Sequence, residues 1–153
     1  MNAETHIAVV GAGQAAVSLV AKLRSLGFAG RLTVIGDEAS SPYQRPPLSK
    51  KYLLGEMSAE RLALRPDAFY RDNRIDLLLG AQVDRIDTGA RTLTLAKQTL
   101  SYDMLALTTG SRPRQLPATI GGALAGVYTI RGRADIDALA SEVEPGRHML
   151  VVG

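Results

Sequence analysis

The stretch at residues 7–16, IAVVGAGQAA, constrains the fold more than any other part of the chain. Its apolar half predicts a buried strand, and the small residues that follow predict a tight turn and the start of a helix. In such a turn Gly11 allows the sharp bend, Gly13 lets a phosphate approach the backbone, and Ala16 lets the helix pack closely on the strand. The unpaired N–H groups at the helix start suit an anion such as a diphosphate. An ordinary strand-to-helix turn has the same spacing, so the motif needs support from its surroundings.

That support comes from the next twenty residues. Apolar residues recur with a helical period and predict one buried face, and Gly27 stands where a helix C-cap belongs. The residues expected on that face are Leu19, Val20, Leu23 and Leu26. Residues 31–35 then predict a second strand, so strand, glycine turn, helix and strand follow one another as in a dinucleotide-binding unit.

An acidic pair, Asp37 and Glu38, follows the second strand. In a dinucleotide-binding unit an acid at this place accepts hydrogen bonds from a ribose hydroxyl. Asp37 is the first candidate and Glu38 the second, and a solvated turn residue is the alternative for each. An acid here also repels a 2′-phosphate, so the nucleotide should lack one.

Composition excludes several classes of function. The chain has 153 residues, 46% of them hydrophobic and 22% charged, which is typical of one globular domain with a core. No apolar run approaches the roughly 20 residues that span a bilayer, and we expect a cytoplasmic protein without a membrane partner. With no cysteine and two histidines, we expect no disulfide and no metal site. The net charge of +3 is scattered, so no nucleic-acid surface is predicted.

A proline-rich stretch at residues 40–55, SSPYQRPPLSKKYLLG, is the second informative segment. Its prolines fix the local backbone, and a short helix is predicted only over residues 48–54. Arg45 and Lys50 are thus carried on a rigid segment, which would hold two cations at fixed positions over a ligand. A surface loop whose cations meet water is the alternative, and spacing alone does not choose between the two.

The remaining chain predicts further strands and helices. A polar helix starts near Pro66 and ends at Asn73, and strands cover residues 75–79 and 102–108, with hairpin segments around Thr88 and Gly89 between them. After residue 114 we expect a loose, glycine-rich connection before residues 127–130, and a helix near residues 134–143. The last residues, RHMLVVG, repeat the strand-to-glycine pattern of THIAVVG.

Four segments together resemble one family: IAVVGAGQAA, VIGDE, PYQRPPLSKKYLLG and LALTTGSRPR. They are similar to the flavoprotein ferredoxin reductases that serve bacterial dioxygenases and cytochromes P450, within the pyridine nucleotide-disulfide oxidoreductase superfamily. The resemblance covers nearly the whole chain, and RPPLSK is its most specific part. It implies an α/β fold, a Rossmann-like FAD-binding domain with a parallel sheet, helices and a small antiparallel β-meander.

The resemblance also implies the chemistry. FAD would accept hydride from NADH as co-substrate and pass electrons singly to a ferredoxin or rubredoxin-type iron–sulfur protein. Lys50 would lie near the redox-active edge of the flavin and is the predicted catalytic residue. Thr108 stands where the family usually has alanine, a small departure. The predicted cofactor contacts are Gly11, Gly13, Gln14, Ala15, Ala16, Asp37, Glu38, Arg45, Lys50, Val83, Thr109, Gly110 and Arg131, with Val83, Thr109 and Gly110 acting through their backbones.

The domain boundaries follow from the same resemblance. Residues 1–112 would form the N-terminal, incomplete part of the FAD-binding domain, and residues 113–153 a connection and the first elements of an NAD(H)-binding domain. We therefore expect a piece of a longer reductase, inactive alone, whose unpaired sheet edge favours self-association.

Four other functions compete with this interpretation. A flavin-dependent disulfide reductase needs a cysteine near the flavin, and the chain has none. A classical nicotinamide dehydrogenase would bind NAD at the glycine turn but would leave RPPLSK unexplained. A catalytically inert nucleotide-binding module, or a different NAD(P)H-dependent flavoprotein of the superfamily, stays open.

Overall fold

The computed structural model describes residues 4–96 and 98–152. The chain forms two compact units, and each contains two separate segments. The first unit comprises Met1–Gln44 and Ala63–Gly110, and the second comprises Arg45–Leu62 and Ser111–Gly153. Residues 45–62 thus group with the C-terminal segment, whereas the predicted boundary lies at residue 112. Only the first unit contains strands within the described residues.

A four-stranded parallel sheet organises the first unit, in the order β3-β2-β1-β7. Its strands are β1 His6–Val10, β2 Arg31–Ile35, β3 Ile75–Leu78 and β7 Met104–Leu107. Val10 pairs with both Ile35 and Leu107, so the carboxyl ends of β1, β2 and β7 lie side by side. Helix α1, Gln14–Ser25, makes the crossover from β1 to β2.

A three-stranded antiparallel sheet is the second layer of this unit. It contains β4 Val83–Asp87, β5 Thr92–Leu95 and β6 Gln98–Ser101. The predicted parallel sheet with helices and the small β-meander are both confirmed. Strand β6 was not predicted from the sequence, because its polar residues follow no apolar alternation and its register is fixed by pairing with β5.

The parallel sheet is covered on both faces, which explains why β1 is apolar along its length. Ile7 and Val9 belong to the core on the α1 side, whereas Ala8 packs with residues of the β-meander on the other side. Helix α1 buries Ala16, Val17 and Val20. The prediction that Leu26 faces the core is wrong, since it is 70% exposed, because α1 ends at Ser25 and Gly27 then turns the chain with φ of +80°.

Arg24 connects the end of α1 to the start of β3 through backbone carbonyl groups. Its Nη1 donates to the carbonyls of Phe28 (2.6 Å) and Gly30 (2.9 Å). Its Nε and Nη2 donate to the carbonyls of Asn73 (2.7 Å) and Arg74 (2.8 Å), which follow helix α3, Asp67–Asp72. The guanidinium also lies over the Phe28 ring, 5.6 Å from its centroid. One side chain thus joins two loops that are distant in sequence.

The second unit is built from helical turns. They are Leu48–Tyr52, a π-type turn, and Ala118–Ile120, a 3-10 turn, together with helices α2, Ala59–Leu62, and α4, Arg133–Ala140. The buried residues of these elements are Leu48, Leu62, Ile136 and Leu139. No helix among residues 4–96 and 98–152 is long and apolar enough to cross a membrane.

Two local predictions for this unit differ from the structure. The helix predicted over residues 48–54 is shorter and is interrupted at Lys50, whose φ of −129° and ψ of −112° are not helical. Residues 147–152 form no strand, because strands exist only by pairing and no described strand pairs with them. Gly153, the last residue of the predicted repeat, lies outside the described residues.

Candidate functional site

The turn after β1 is shaped by Gly11, as the sequence predicted. Its φ is +102°, in the region that side chains disfavour, and its N–H donates to the carbonyl of Ile35 over 2.8 Å. A Cβ built on Gly11 would lie 2.3 Å from the carbonyl oxygen of Thr108. Glycine is therefore required here twice, once for the bend and once for the close approach of the segment after β7.

Gly13, unlike Gly11, has no close neighbour on the side where a Cβ would lie. A Cβ built on it would have no heavy atom within 4 Å, and its φ of −96° is ordinary. Gly13 is the N-cap of α1, and in the part of the chain that the structure describes no side chain caps this helix. Gln14 and Ala15 are exposed in the first turn, whereas Ala16 is fully buried. An unfilled cradle with an uncapped helix start is the arrangement that accepts a diphosphate.

The two acids after β2 differ in their contacts. Glu38 accepts a hydrogen bond from the Tyr43 hydroxyl. Asp37 is exposed two residues after β2 ends, and within residues 4–96 and 98–152 no hydrogen bond or ion pair engages its carboxylate. Of the two acids, Asp37 is the one whose oxygens remain available to a ribose hydroxyl.

The segment after β7 brings Thr108, Thr109 and Gly110 to the glycine turn. Thr108 donates its N–H to the Val10 carbonyl (2.8 Å), and its hydroxyl lies within hydrogen-bonding distance of the carbonyls of Val10 (3.1 Å) and Gly11 (3.0 Å). The Thr108 side chain thus stabilises the turn. Thr109 and Gly110 are exposed, and Gly110 has φ of +69°.

Val83 opens β4 and pairs with Leu95 across the β-meander. Its side chain packs against the core that contains Ala8 and Leu93. The side chain of Val83 therefore has a structural role, and its backbone can still contact a ligand.

The three predicted cations lie in the second unit. Arg45 Nη1 donates to the carbonyl of Arg131 over 2.6 Å, although the residues are 86 positions apart. Lys50 is exposed, and its N–H donates to the carbonyl of Pro47 over 3.0 Å. The structure therefore joins Arg45 with Arg131 and places Lys50 on a proline-braced turn.

Two contacts of α4 were not predicted from the sequence. Asp135 Oδ2 accepts hydrogen bonds from the N–H groups of Arg131 (2.8 Å) and Gly132 (2.7 Å), at the helix start. Tyr52 donates its hydroxyl to Asp137 over 2.7 Å, and this hydrogen bond raises the pKa of Tyr52. The spacing of Gly132 and Asp135, a cap followed three positions later by an acid, was a usable signal for the first contact.

A parallel sheet whose first strand delivers a glycine turn to an uncapped helix, with an acid after the second strand, defines a dinucleotide-binding protein with a Rossmann-like fold. The sequence model of the family described as pyridine nucleotide-disulphide oxidoreductase matches residues 5–153. The chain belongs to this family, as the resemblance implied.

Individual relatives are similar along the whole chain. This chain is 44% identical over 154 residues to a probable ferredoxin reductase, CtmF, of Castellaniella defragrans. The match covers 100% of this chain and 37% of the relative. Rhodocoxin reductase of Rhodococcus erythropolis is 43% identical over 96% of this chain and 34% of its own length. Among solved structures, the covalent putidaredoxin reductase–putidaredoxin complex matches with a TM-score of 0.85 at 36% identity, covering 92% of this chain and 34% of the matched one. The chain thus spans about a third of the length of these relatives.

Proposed function

We propose that this chain supplies the FAD-binding part of an NADH-linked ferredoxin or rubredoxin reductase. The observation that carries the proposal is the cradle at Gly13, where open space faces the uncapped start of α1. The names of the relatives support an iron–sulfur protein as the electron acceptor. Two are called ferredoxin reductase and rhodocoxin reductase, and a third, putidaredoxin reductase, was solved in complex with putidaredoxin.

In this proposal the first unit binds the adenosine diphosphate half of FAD. The first-turn N–H groups of α1, from Gln14 to Ala16, hold the diphosphate, and Gly13 admits it to the backbone. Asp37 accepts from the ribose, while Glu38 holds Tyr43 and so keeps the turn after β2 in place. The backbones of Val83, Thr109 and Gly110 complete this part of the contact surface.

Positive charge is the second requirement of the proposal, and the resemblance implies three cations for it. FAD, when bound, provides the hydride and single-electron chemistry, and the protein sets its position and its electrostatic environment. Arg45, Lys50 and Arg131 compensate negative charge on the cofactor, and Lys50 favours the reduced ring because that form gains negative charge. No proton donor is needed for hydride transfer between two aligned cofactors.

Titration with FAD and with NADH tests the proposal. We expect FAD, and not NADH, to bind at the glycine turn of the protein encoded by the complete reading frame, with flavin absorption near 450 nm, a property of the cofactor. The present chain alone should retain FAD weakly and catalyse no electron transfer. Binding of NADH alone would establish a nicotinamide dehydrogenase instead, and absence of both would establish an inert module.

Lys50→Ala should slow flavin reduction more than it weakens flavin retention. In the FAD-loaded protein of the complete reading frame we expect the rate of reduction by NADH to fall about tenfold, because removal of one cation destabilises the charge that develops on the ring. The FAD dissociation constant should change less than about threefold, which is less than the roughly 1.4 kcal/mol of binding free energy that a tenfold change represents.

Stopped-flow absorbance measures the reduction rate, and Lys51→Ala is the matched control, because Lys51 is the neighbouring exposed cation. If Lys50→Ala lost flavin while it was reduced at the normal rate, Lys50 would be a binding residue and not a catalytic one.

A further inference from the structure

Helix α4 contacts both chain segments that carry the cations of the second unit. The segment before α4 carries Arg131, whose carbonyl accepts from Arg45. The turn Leu48–Tyr52 carries Lys50, and its last residue, Tyr52, donates to Asp137 of α4. Helix α4 therefore holds the backbone at Arg131 and contacts the turn that carries Lys50, while Arg45 joins this group through its side chain.

The peptide groups on both sides of Arg131 are held. Its N–H donates to Asp135 Oδ2 over 2.8 Å, and its carbonyl accepts from Arg45 Nη1 over 2.6 Å. Both hydrogen bonds involve a charged partner, so each is stronger and shorter than a neutral one. Together they fix the backbone from which the Arg131 side chain projects.

This arrangement exceeds the needs of a helix cap. A cap requires an acceptor for the free N–H groups at the helix start, and Asp135 meets that need at the N-cap residue Gly132, over 2.7 Å. The same carboxylate oxygen additionally accepts from the N–H of Arg131, one residue before the N-cap. Ile136, next to Asp135, is 1% exposed, and its burial holds the helix backbone that carries the carboxylate.

We infer that Asp135 is a positioning residue, which holds Arg131 in the orientation that FAD requires. The inference rests on the proposed function, because it concerns how this site binds FAD. It adds one acidic residue to the cations, the glycine turn and the ribose-side acid already described.

A double-mutant cycle in the protein encoded by the complete reading frame tests the inference. FAD affinity is measured by flavin fluorescence during titration of the apoprotein with wild type, D135A, R131M and the double variant. We expect D135A to weaken FAD binding about tenfold when Arg131 is present, and less than about twofold in the R131M background, because a positioning residue has nothing to position there.

Two further variants sharpen the cycle. D135N should bind FAD with intermediate affinity, because its amide oxygen still accepts both N–H groups but without charge. D72A is the matched control, since the Asp72 side chain is 68% exposed and stands at the end of α3, and it should bind like wild type. Thermal unfolding of each apoprotein reports whether it is folded, and D135N replaces D135A in the cycle if the alanine variant unfolds.

The outcomes separate the two hypotheses. Equal losses of affinity from D135A in both backgrounds indicate a general structural role and overturn the inference, and so does an unchanged affinity in both. In either case tight FAD binding by the wild type leaves the proposed function standing. A wild-type apoprotein that binds no FAD overturns the proposed function and this inference with it.

Discussion

Gly11→Ala is expected to destabilise the first unit by about 3 kcal/mol or more. The new Cβ would meet the Thr108 carbonyl oxygen at 2.3 Å, and the φ of +102° is unfavourable for alanine. The conformational term costs about 1 to 2 kcal/mol, and forcing apart two packed segments costs typically about 1 to 3 kcal/mol. Urea unfolding, followed by circular dichroism, measures the loss as a lower midpoint.

Gly13→Ala is the matched variant, because the two glycines belong to the same turn but differ in their surroundings. A Cβ on Gly13 meets nothing within 4 Å, so the unfolding midpoint should stay near the wild-type value. FAD affinity should nevertheless fall by about two orders of magnitude, because the methyl group occupies the approach of the diphosphate. If Gly11→Ala unfolded at the wild-type midpoint, the packing of the turn against Thr108 would be contradicted.

Arg24→Ala is expected to have the second largest effect, a loss of about 3 kcal/mol of stability. The substitution removes the donor from four carbonyls, those of Phe28, Gly30, Asn73 and Arg74. Hydrogen bonds from a charged donor contribute about 1.5 to 3 kcal/mol each, and water can replace only the more exposed ones. The urea midpoint again measures the effect.

Arg24→Lys separates charge from geometry. A lysine keeps the positive charge, but its compact ammonium cannot reach both loops at once, so most of the stability should be lost with it too. Arg71→Ala is the control, because the Arg71 side chain is 77% exposed, and its midpoint should be unchanged. Full stability of Arg24→Lys would mean that charge alone, and not the forked contact with two loops, supports this region.

The parts of the fold that sequence predicted are those specified by neighbouring residues. The glycine turn depends on residues within one short stretch, and its Gly11 and Gly13 lie where the pattern predicted. Helix α3 begins after Pro66 and ends at Asp72, with Asn73 as its C-cap, close to the bounds that the helix signals indicated, because proline and the first-turn acid act locally.

The features that were missed depend on distant partners. The hydroxyl of Thr108 gains its role only because β7 pairs with β1, and Arg24 only because the loop after α3 lies beside the end of α1. The helix expected through Lys50 is interrupted there, and local propensity contains no information about that break. For the candidate site, the sequence indicated the glycine turn and the acidic pair, but not the hydrogen bond of Arg45 to Arg131 or that of Tyr43 to Glu38.

The second unit is discontinuous in sequence, and this has a consequence for how such proteins can be recombined. Its Arg45–Leu62 segment and its Ser111–Gly153 segment hold each other through the contacts of Arg45 and Tyr52. A chimera made by a single crossover near residue 112 would inherit α4 from one parent and its counterpart turn from the other. Exchange between relatives should therefore succeed when both segments are transferred together.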